Sequence, residues 1–449
     1  MSFAVENQSL AMKVNVPELN LPRVVIIGGG FAGINLAQAL KNAPVQVVMF
    51  DKHNYHTFQP LLYQVATGGL EPDSIAFPLR KMFKRQENFT FRMAEVTSVD
   101  APNKRILTSI GEIRYDYLVI ATGSRTNFFG LEGLQELSHG MKSIPEALDL
   151  RSMILQNFEQ AVLTANLDER NALMNFVVVG AGPTGVETSG ALAELKHHIL
   201  PKDYPELDLR RMQIHLIEAG DRVLPGMTQE SSENAQKSLD KMGVHIWLDA
   251  RVEKYDGKHV FLAGDRTLDA ITVIWSAGVI GNALPGMEAA VGRGGRIEVD
   301  QFNRVKGHAN IFAIGDVALM RTEEYPAGHP GVAQVAMQQG ANLARNIKSA
   351  IFQREMRAFT YKDLGTMATI GRNKAVGDLG RMKLKGLPAW VLWLGIHLFS
   401  LAGFRNRLVV FINWFWSYVT YDKGTRLIIR PYKRKVEIGE TQPAEAEAL

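Results

Sequence analysis

The chain has 449 residues, 46% hydrophobic and 21% charged, with a formal net charge of +4. This is a globular composition long enough for two or three domains with cores of their own, and too weakly basic to point to nucleic acid. Cysteine is absent altogether, which excludes disulfide scaffolds, cysteine-ligated iron–sulfur clusters and thiolate catalysis; no metal site is expected either. Residues 1–22 are polar and lack the basic and apolar regions of a secretory signal, so they read as a mobile leader.

Residues 23–51 carry the strongest signal. An apolar strand, Val24–Ile27, runs into Gly28, Gly30 and Gly33 in G-x-G-x-x-G spacing. A helical pattern follows (Ile34, Leu36, Ala37, Leu40), then a second strand, Val45–Phe50, with Asp51 at its tip. Gly28 makes the tight turn, Gly30 lets backbone N–H groups approach a pyrophosphate, and Gly33 allows helix and strand to pack closely. Asp51 is placed to accept hydrogen bonds from a ribose, with Lys52 beside it. Strand, helix, second strand and acid at about a 20-residue offset make this a dinucleotide-binding unit rather than a chance glycine turn.

The connection 52–82 is long, and its Pro60-Leu61-Leu62-Tyr63 and Gly68-Gly69 suggest backbone running close to a ligand. Residues 89–121 read as a small antiparallel sheet whose last strand, Tyr117–Ala121, returns to the parallel sheet and brings Thr122 and Gly123 to the first nucleotide. After a helical stretch at 144–170 the opening pattern recurs. Strand Phe176–Val179 leads into Gly180, Gly182 and Gly185, then a helix, then strand Ile214–Ile217 ending in Glu218. The stretch between helix and strand is longer here, so the acid falls later. A second dinucleotide unit in one chain is an internal repeat at domain scale. The Glu218 carboxylate favours NAD, whose ribose 2′-OH it can accept, over NADP, whose 2′-phosphate it repels; Arg222 nearby softens that preference.

The second unit closes at Ala277-Gly278, the counterpart of Thr122-Gly123. A short strand, Ile311–Ile314, then ends in Gly315-Asp316, and a helix begins with Gln334, Gln338 and Gln339 in its first turns. Beyond a small β section at 358–380 the chain turns basic and aromatic. From Arg381 to Lys435 there are eleven Lys and Arg against one acid, Asp422, and four of the six tryptophans. The apolar runs 389–403 and 408–421 are each shorter than the ~20 residues needed to span a bilayer. Basic and aromatic composition suits a monotopic anchor at a membrane interface, with a buried dimer interface as the alternative. Residues 436–449 read as a disordered tail.

Two glycine units, strand ends of the A-T-G and S-A-G type and the late N-I-F-A-I-G-D resemble the two-dinucleotide-binding-domain flavoproteins. Within these, GPTGVE (Gly182–Glu187), AQVAMQQG (Ala333–Gly340) and the apolar C-terminal helices resemble the type II NADH dehydrogenases, single-subunit NADH:quinone oxidoreductases that pump no protons. The resemblance implies an α/β fold of two Rossmann-like domains in the glutathione-reductase-like arrangement, the second inserted in the first, with a C-terminal membrane-anchoring region of amphipathic helices. The expected segments are an FAD-binding domain (23–145 and 286–350), an NADH-binding domain (146–285) and an anchor or dimer region (351–435). The first glycine unit then holds FAD, with Asp316 on its ribityl chain, and the second holds NADH. The family places Gln338 beside the flavin where quinone binds and a carboxylate at Glu187, facing the gap between nicotinamide and flavin from the first turn of its helix. Lys374 is a further candidate near the flavin. The implied partners are ubiquinone or menaquinone, a lipid surface on the cytoplasmic face of the inner membrane, and a second copy in a homodimer. The alternatives are a soluble NADH-dependent reductase of a protein carrier or oxygen, and an NADH-responsive flavin-binding scaffold.

Overall fold

Uninterrupted apolar runs make strands that need cover on both faces, and two parallel sheets are built from them. In the computed structural model, which describes residues 14–131, 133–421 and 423–433, the chain falls into two units. The first comprises the described residues up to His56, Phe77–Arg125 and Val279–Asp363; the second comprises Thr57–Ala76, the described residues of Thr126–Gly278 and those from Leu364 on. The C-terminal region, expected from the sequence as a segment apart, therefore packs as part of the second unit.

The first unit is organised by a five-stranded parallel sheet. Arg23–Ile27 lies at its centre, flanked by Gln46–Asp51 and Tyr117–Ile120, with Phe89–Met93 and Ile311–Ala313 at the edges. Helices Phe31–Ala39 and Ala333–Ile351 pack on each other closely enough that a Cβ on Gly340 would meet the Ala32 carbonyl oxygen at 2.6 Å. The stretch 89–121, expected as one antiparallel sheet, is divided. Phe89–Met93 joins the parallel sheet because its apolar face continues that core, and the antiparallel meander is confined to Val96–Arg114. The leader expected over 1–22 is tied down in its last part. Val14 and Val16 are buried in the core, and the Val14 N–H donates to the Glu112 carbonyl at 3.2 Å. The rest of that leader, residues 1–13, and the expected tail at 436–449 lie outside the described residues.

The second unit repeats the plan with four parallel strands in the order Val244–Trp247, Ile214–Ile217, Phe176–Val179 and Thr272–Trp275. Helix Ile144–Leu163 starts in a capping box between Ser143 and Glu146, which satisfies two of the N–H groups a helix start leaves open. Helix Pro183–Glu194 runs from the glycine loop and continues into a π-turn, Leu195–Ile199. Past Leu364 comes a three-stranded antiparallel sheet (Thr366–Gly371, Lys374–Leu379, Met382–Lys385), then helices Gly386–Ser400 and Phe404–Thr420. Among the described residues no helix is long and apolar enough to cross a membrane.

One glycine fixes how the C-terminal sheet meets the second unit's helix. A Cβ on Gly190 would lie 1.8 Å from the Ile370 carbonyl oxygen, a backbone atom that cannot swing away. Gly190→Ala is expected to destabilise the protein by about 3 kcal/mol, measured as a lower urea midpoint, whereas Gly226→Ala, where a Cβ meets nothing within 4 Å, should shift it little.

Candidate active site

In the first unit Gly28 adopts φ +109°, and a Cβ there would lie 2.3 Å from the Ala121 carbonyl oxygen. Gly33 sits so tightly on Gly28 that a Cβ would meet its carbonyl oxygen at 2.0 Å, while around Gly30 there is nothing within 4 Å. The loop thus has two closed glycines and one open one, the open one where a phosphate would approach. Asp51 accepts from the Gly29 N–H at 2.6 Å and the His53 N–H at 2.7 Å. Thr122 donates through its hydroxyl to the Asn282 carbonyl at 2.6 Å, and Gly123 beside it has φ +67°. The Ser124 hydroxyl donates to Asp316 at 2.8 Å, and the Gly315 N–H donates to the Gln339 side-chain oxygen at 2.7 Å. The fold therefore brings strand ends about 190 residues apart in sequence to one edge of the sheet.

The second loop is a close copy. Gly180 has φ +98° with Ala277 Cα 2.5 Å from a built Cβ; Gly185 would meet the Gly180 carbonyl oxygen at 1.9 Å; Gly182 is open. Glu218 accepts from the Ala181 N–H at 2.7 Å and the Gly220 N–H at 2.9 Å. Gly278, next to Ala277, has φ +159° and lies against the Phe129 ring. Each carboxylate spends two acceptor positions on its own loop and keeps two more, so Asp51 and Glu218 each retain capacity for a ribose. Arg222 is turned to Gln229 and the Pro225 carbonyl.

Glu187 stands one turn into its helix rather than on the first turn, on the buried face and only 8% exposed. It lines a cavity of about 120 Å³ together with Tyr63, Gln64, Thr369, Trp393 and Trp414. Burial pushes its carboxyl up to about 8; the Thr369 N–H, 3.4 Å away, and the neighbouring Trp393 indole offset this in part. The indole N–H makes no hydrogen bond of ordinary geometry, so its pull is weak and the carboxyl is protonated at neutral pH. Desolvation also holds Tyr63 well above its ordinary value and pushes His397, stacked on Trp393 at 4.0 Å, down to about 4, where it is neutral. At the other end Arg372 lies between the Tyr418 and Tyr421 rings, 4.0 and 3.8 Å from their centroids.

Residues 22–340 match the pyridine nucleotide-disulphide oxidoreductase family, and residues 364–420 match the NDH2 C-terminal domain. The chain is 36% identical over 419 residues to the type II NADH:quinone oxidoreductase Ndh of Mycobacterium tuberculosis, covering 90% of this chain and 89% of that one. The chain belongs to the type II NADH:quinone oxidoreductases. The Staphylococcus aureus type II NADH:quinone oxidoreductase is 29% identical over 82% of this chain and 92% of its own. NDH2 of Plasmodium falciparum, solved with NADH, shares the fold at a TM-score of 0.84 and 22% identity, over 91% of this chain and 100% of that one. As a member of this family the protein is an α/β flavoenzyme that uses FAD and NADH, and the open glycine positions and half-free carboxylates fit both nucleotides.

The remaining candidates do not line this cavity. Lys52 forms an exposed ion pair with Glu95 at 2.7 Å. Gln334 accepts from the Tyr361 hydroxyl at 3.3 Å. Gln338 is held by the backbone of Lys362, donating to its carbonyl at 2.8 Å and accepting from its N–H at 3.0 Å; it lies in the first unit, Glu187 in the second. Lys374 opens a strand of the C-terminal sheet and is not among the residues lining the Glu187 cavity. Sequence reasoning passed over Gln64, Trp393 and Trp414 as cavity residues. The tryptophans read as interfacial, and no periodicity distinguishes an inward indole from an outward one.

Glu187 should couple stability to pH. The folded carboxyl keeps its proton to about 8, while the unfolded one loses it near the ordinary 4.5, so unfolding releases a proton in between and stability falls as pH rises through that window. Glu187→Gln removes this. Its melting temperature relative to the unaltered protein should climb between pH 4.5 and 8, by on the order of 5 °C in all, and then level off; parallel melting curves would exclude a raised Glu187.

Proposed function

We propose that this protein oxidises NADH and reduces a quinone at a membrane surface without moving protons across it, the quinone head entering the Glu187 cavity. The observation that carries the reading is a carboxyl kept protonated at neutral pH in a cavity lined by Trp390, Trp393 and Trp414 of the two C-terminal helices. A quinone is an apolar ring that needs protons as it accepts electrons, and this cavity offers both. FAD, when bound, supplies the two-electron relay between nicotinamide and quinone. Asp51, Asp316 and the Gly28–Gly33 loop would hold it; Glu218 and the Gly180–Gly185 loop would hold NADH, the carboxylate selecting a free 2′-OH. The buried Glu187 carboxyl holds a proton at its oxygen for delivery to a quinone carbonyl.

The same helices carry the membrane reading. Their inner sides bury Trp393 and Val410, while Phe399, Phe404 and Phe415 are 72%, 79% and 61% exposed and Trp416 is 59% exposed. This apolar face lies in a segment rich in Lys and Arg, a combination that suits anionic lipid. The proposed surface is the cytoplasmic face of the inner membrane, the side on which NADH would be at hand.

Two measurements test this. Quinone-dependent NADH oxidation should fall above about pH 8 as Glu187 loses its proton, and Glu187→Gln should lower kcat about a hundredfold and abolish that alkaline limb; a variant with the unaltered profile rules Glu187 out as the donor. Replacing Phe399, Phe411, Phe415 and Trp416 together with Ser should prevent flotation with phosphatidylglycerol-containing vesicles. A variant that still floats excludes these helices as the anchor, and unaltered protein that stays off vesicles as a dimer assigns their face to self-association.

A further inference from the structure

Hydrogen-bond direction inside the cavity is fixed from its far wall. The Trp414 indole has only a donor, and it points at the Gln64 side chain 2.8 Å away. The Gln64 carbonyl oxygen must therefore face Trp414, which decides the amide orientation on chemical grounds. The Gln64 NH2 then faces the Tyr63 hydroxyl at 2.9 Å and donates to its oxygen. Tyr63 is thus an acceptor towards Gln64, and its own O–H hydrogen points elsewhere. No acceptor for it is found among the described residues; Tyr63 is 6% exposed and lines the same cavity as Glu187. A buried hydroxyl with its hydrogen left over is a donor waiting for a ligand oxygen.

We infer that the Tyr63 hydroxyl donates a hydrogen bond to a carbonyl oxygen of the quinone, held in that role by the one-way chain Trp414 to Gln64 to Tyr63. This rests on the reading of the cavity as the quinone site. Tyr63 is then a catalytic residue in the sense of touching substrate, while Gln64 and Trp414 are positioning residues. The bond strengthens as charge builds on the carbonyl oxygen during reduction, so it favours the reaction beyond binding. Because Trp414 sits on the helix Phe404–Thr420, whose other side is the exposed apolar face, the anchor helix itself sets the polarity of the substrate cavity.

The test uses the full-length FAD-loaded protein and a short-chain ubiquinone. Tyr63→Phe removes the donor and keeps the ring. Gln64→Glu reverses the chain: an ionised carboxylate accepts from Trp414 and also claims the Tyr63 hydrogen. Each should lower kcat/KM for the quinone about tenfold, leave the KM for NADH unaltered, and weaken quinone binding to the oxidised protein as read by quenching of tryptophan emission. The double variant Y63F/Q64E should lose no more than either alone. Flavin content and melting temperature establish that each variant is folded. If both single variants bind and reduce quinone within twofold of the unaltered protein, the Tyr63 assignment is overturned while the cavity reading stands. If Glu187→Gln and both of these leave quinone kinetics unmoved, or the unaltered protein reduces ferricyanide with NADH but no quinone, the cavity reading fails and the Tyr63 assignment with it.

Discussion

The structure depends on two places where a glycine lies directly on the carbonyl oxygen of another glycine: Gly33 on Gly28 and Gly185 on Gly180, each within about 2 Å of where a Cβ would stand. No other residue permits that approach. It seats each helix against the end of its strand and leaves one open glycine where backbone N–H groups meet a phosphate. A carboxylate from the neighbouring strand then ties down the loop, Asp51 through Gly29 and Glu218 through Ala181. The acids thus have a structural duty before any ligand arrives, which pre-organises the loop at little cost on binding.

In the second unit the same helix does two things. Its first turn ends the glycine loop, and one turn later it carries Glu187 into a cavity closed by the C-terminal sheet and helices. Gly190 lets Ile370 lie against the helix backbone, and this contact places the Thr369 N–H beside the Glu187 carboxyl. The acid remains protonated because Trp393, from the helix Gly386–Ser400, helps exclude water from it. Nucleotide loop, acid and C-terminal helices are therefore parts of one packed unit, and the raised Glu187 carboxyl follows from burial rather than from a charged neighbour.

The strap after the last helix adds to this. Arg426 pairs with Asp203 at 2.6 Å, the Tyr432 N–H donates to the Gln156 side chain at 2.7 Å, and Arg430 pairs with Asp149. Part of the basic charge near the C-terminus is thus spent on holding the chain to the second unit.

The glycine loops, their acids and the repeat were legible in the sequence because each rests on local rules: strand periodicity, the conformational range of glycine and fixed spacing. The family resemblance was legible for the same reason, in GPTGVE and AQVAMQQG. The direction of a side chain was not. The burial of Glu187, the hold of the Lys362 backbone on Gln338 and the inward turn of Trp393 and Trp414, interfacial by composition, came only from the structure. Nor does the sequence contain the chain from Trp414 through Gln64 to Tyr63, whose members stand 350 residues apart. Sequence alone marked the loops as nucleotide-binding, since backbone geometry does that; tertiary packing decided which groups lose their water and which hydrogen bonds meet, so that desolvation keeps the Glu187 carboxyl protonated and the contacts from Trp414 through Gln64 direct the Tyr63 hydroxyl.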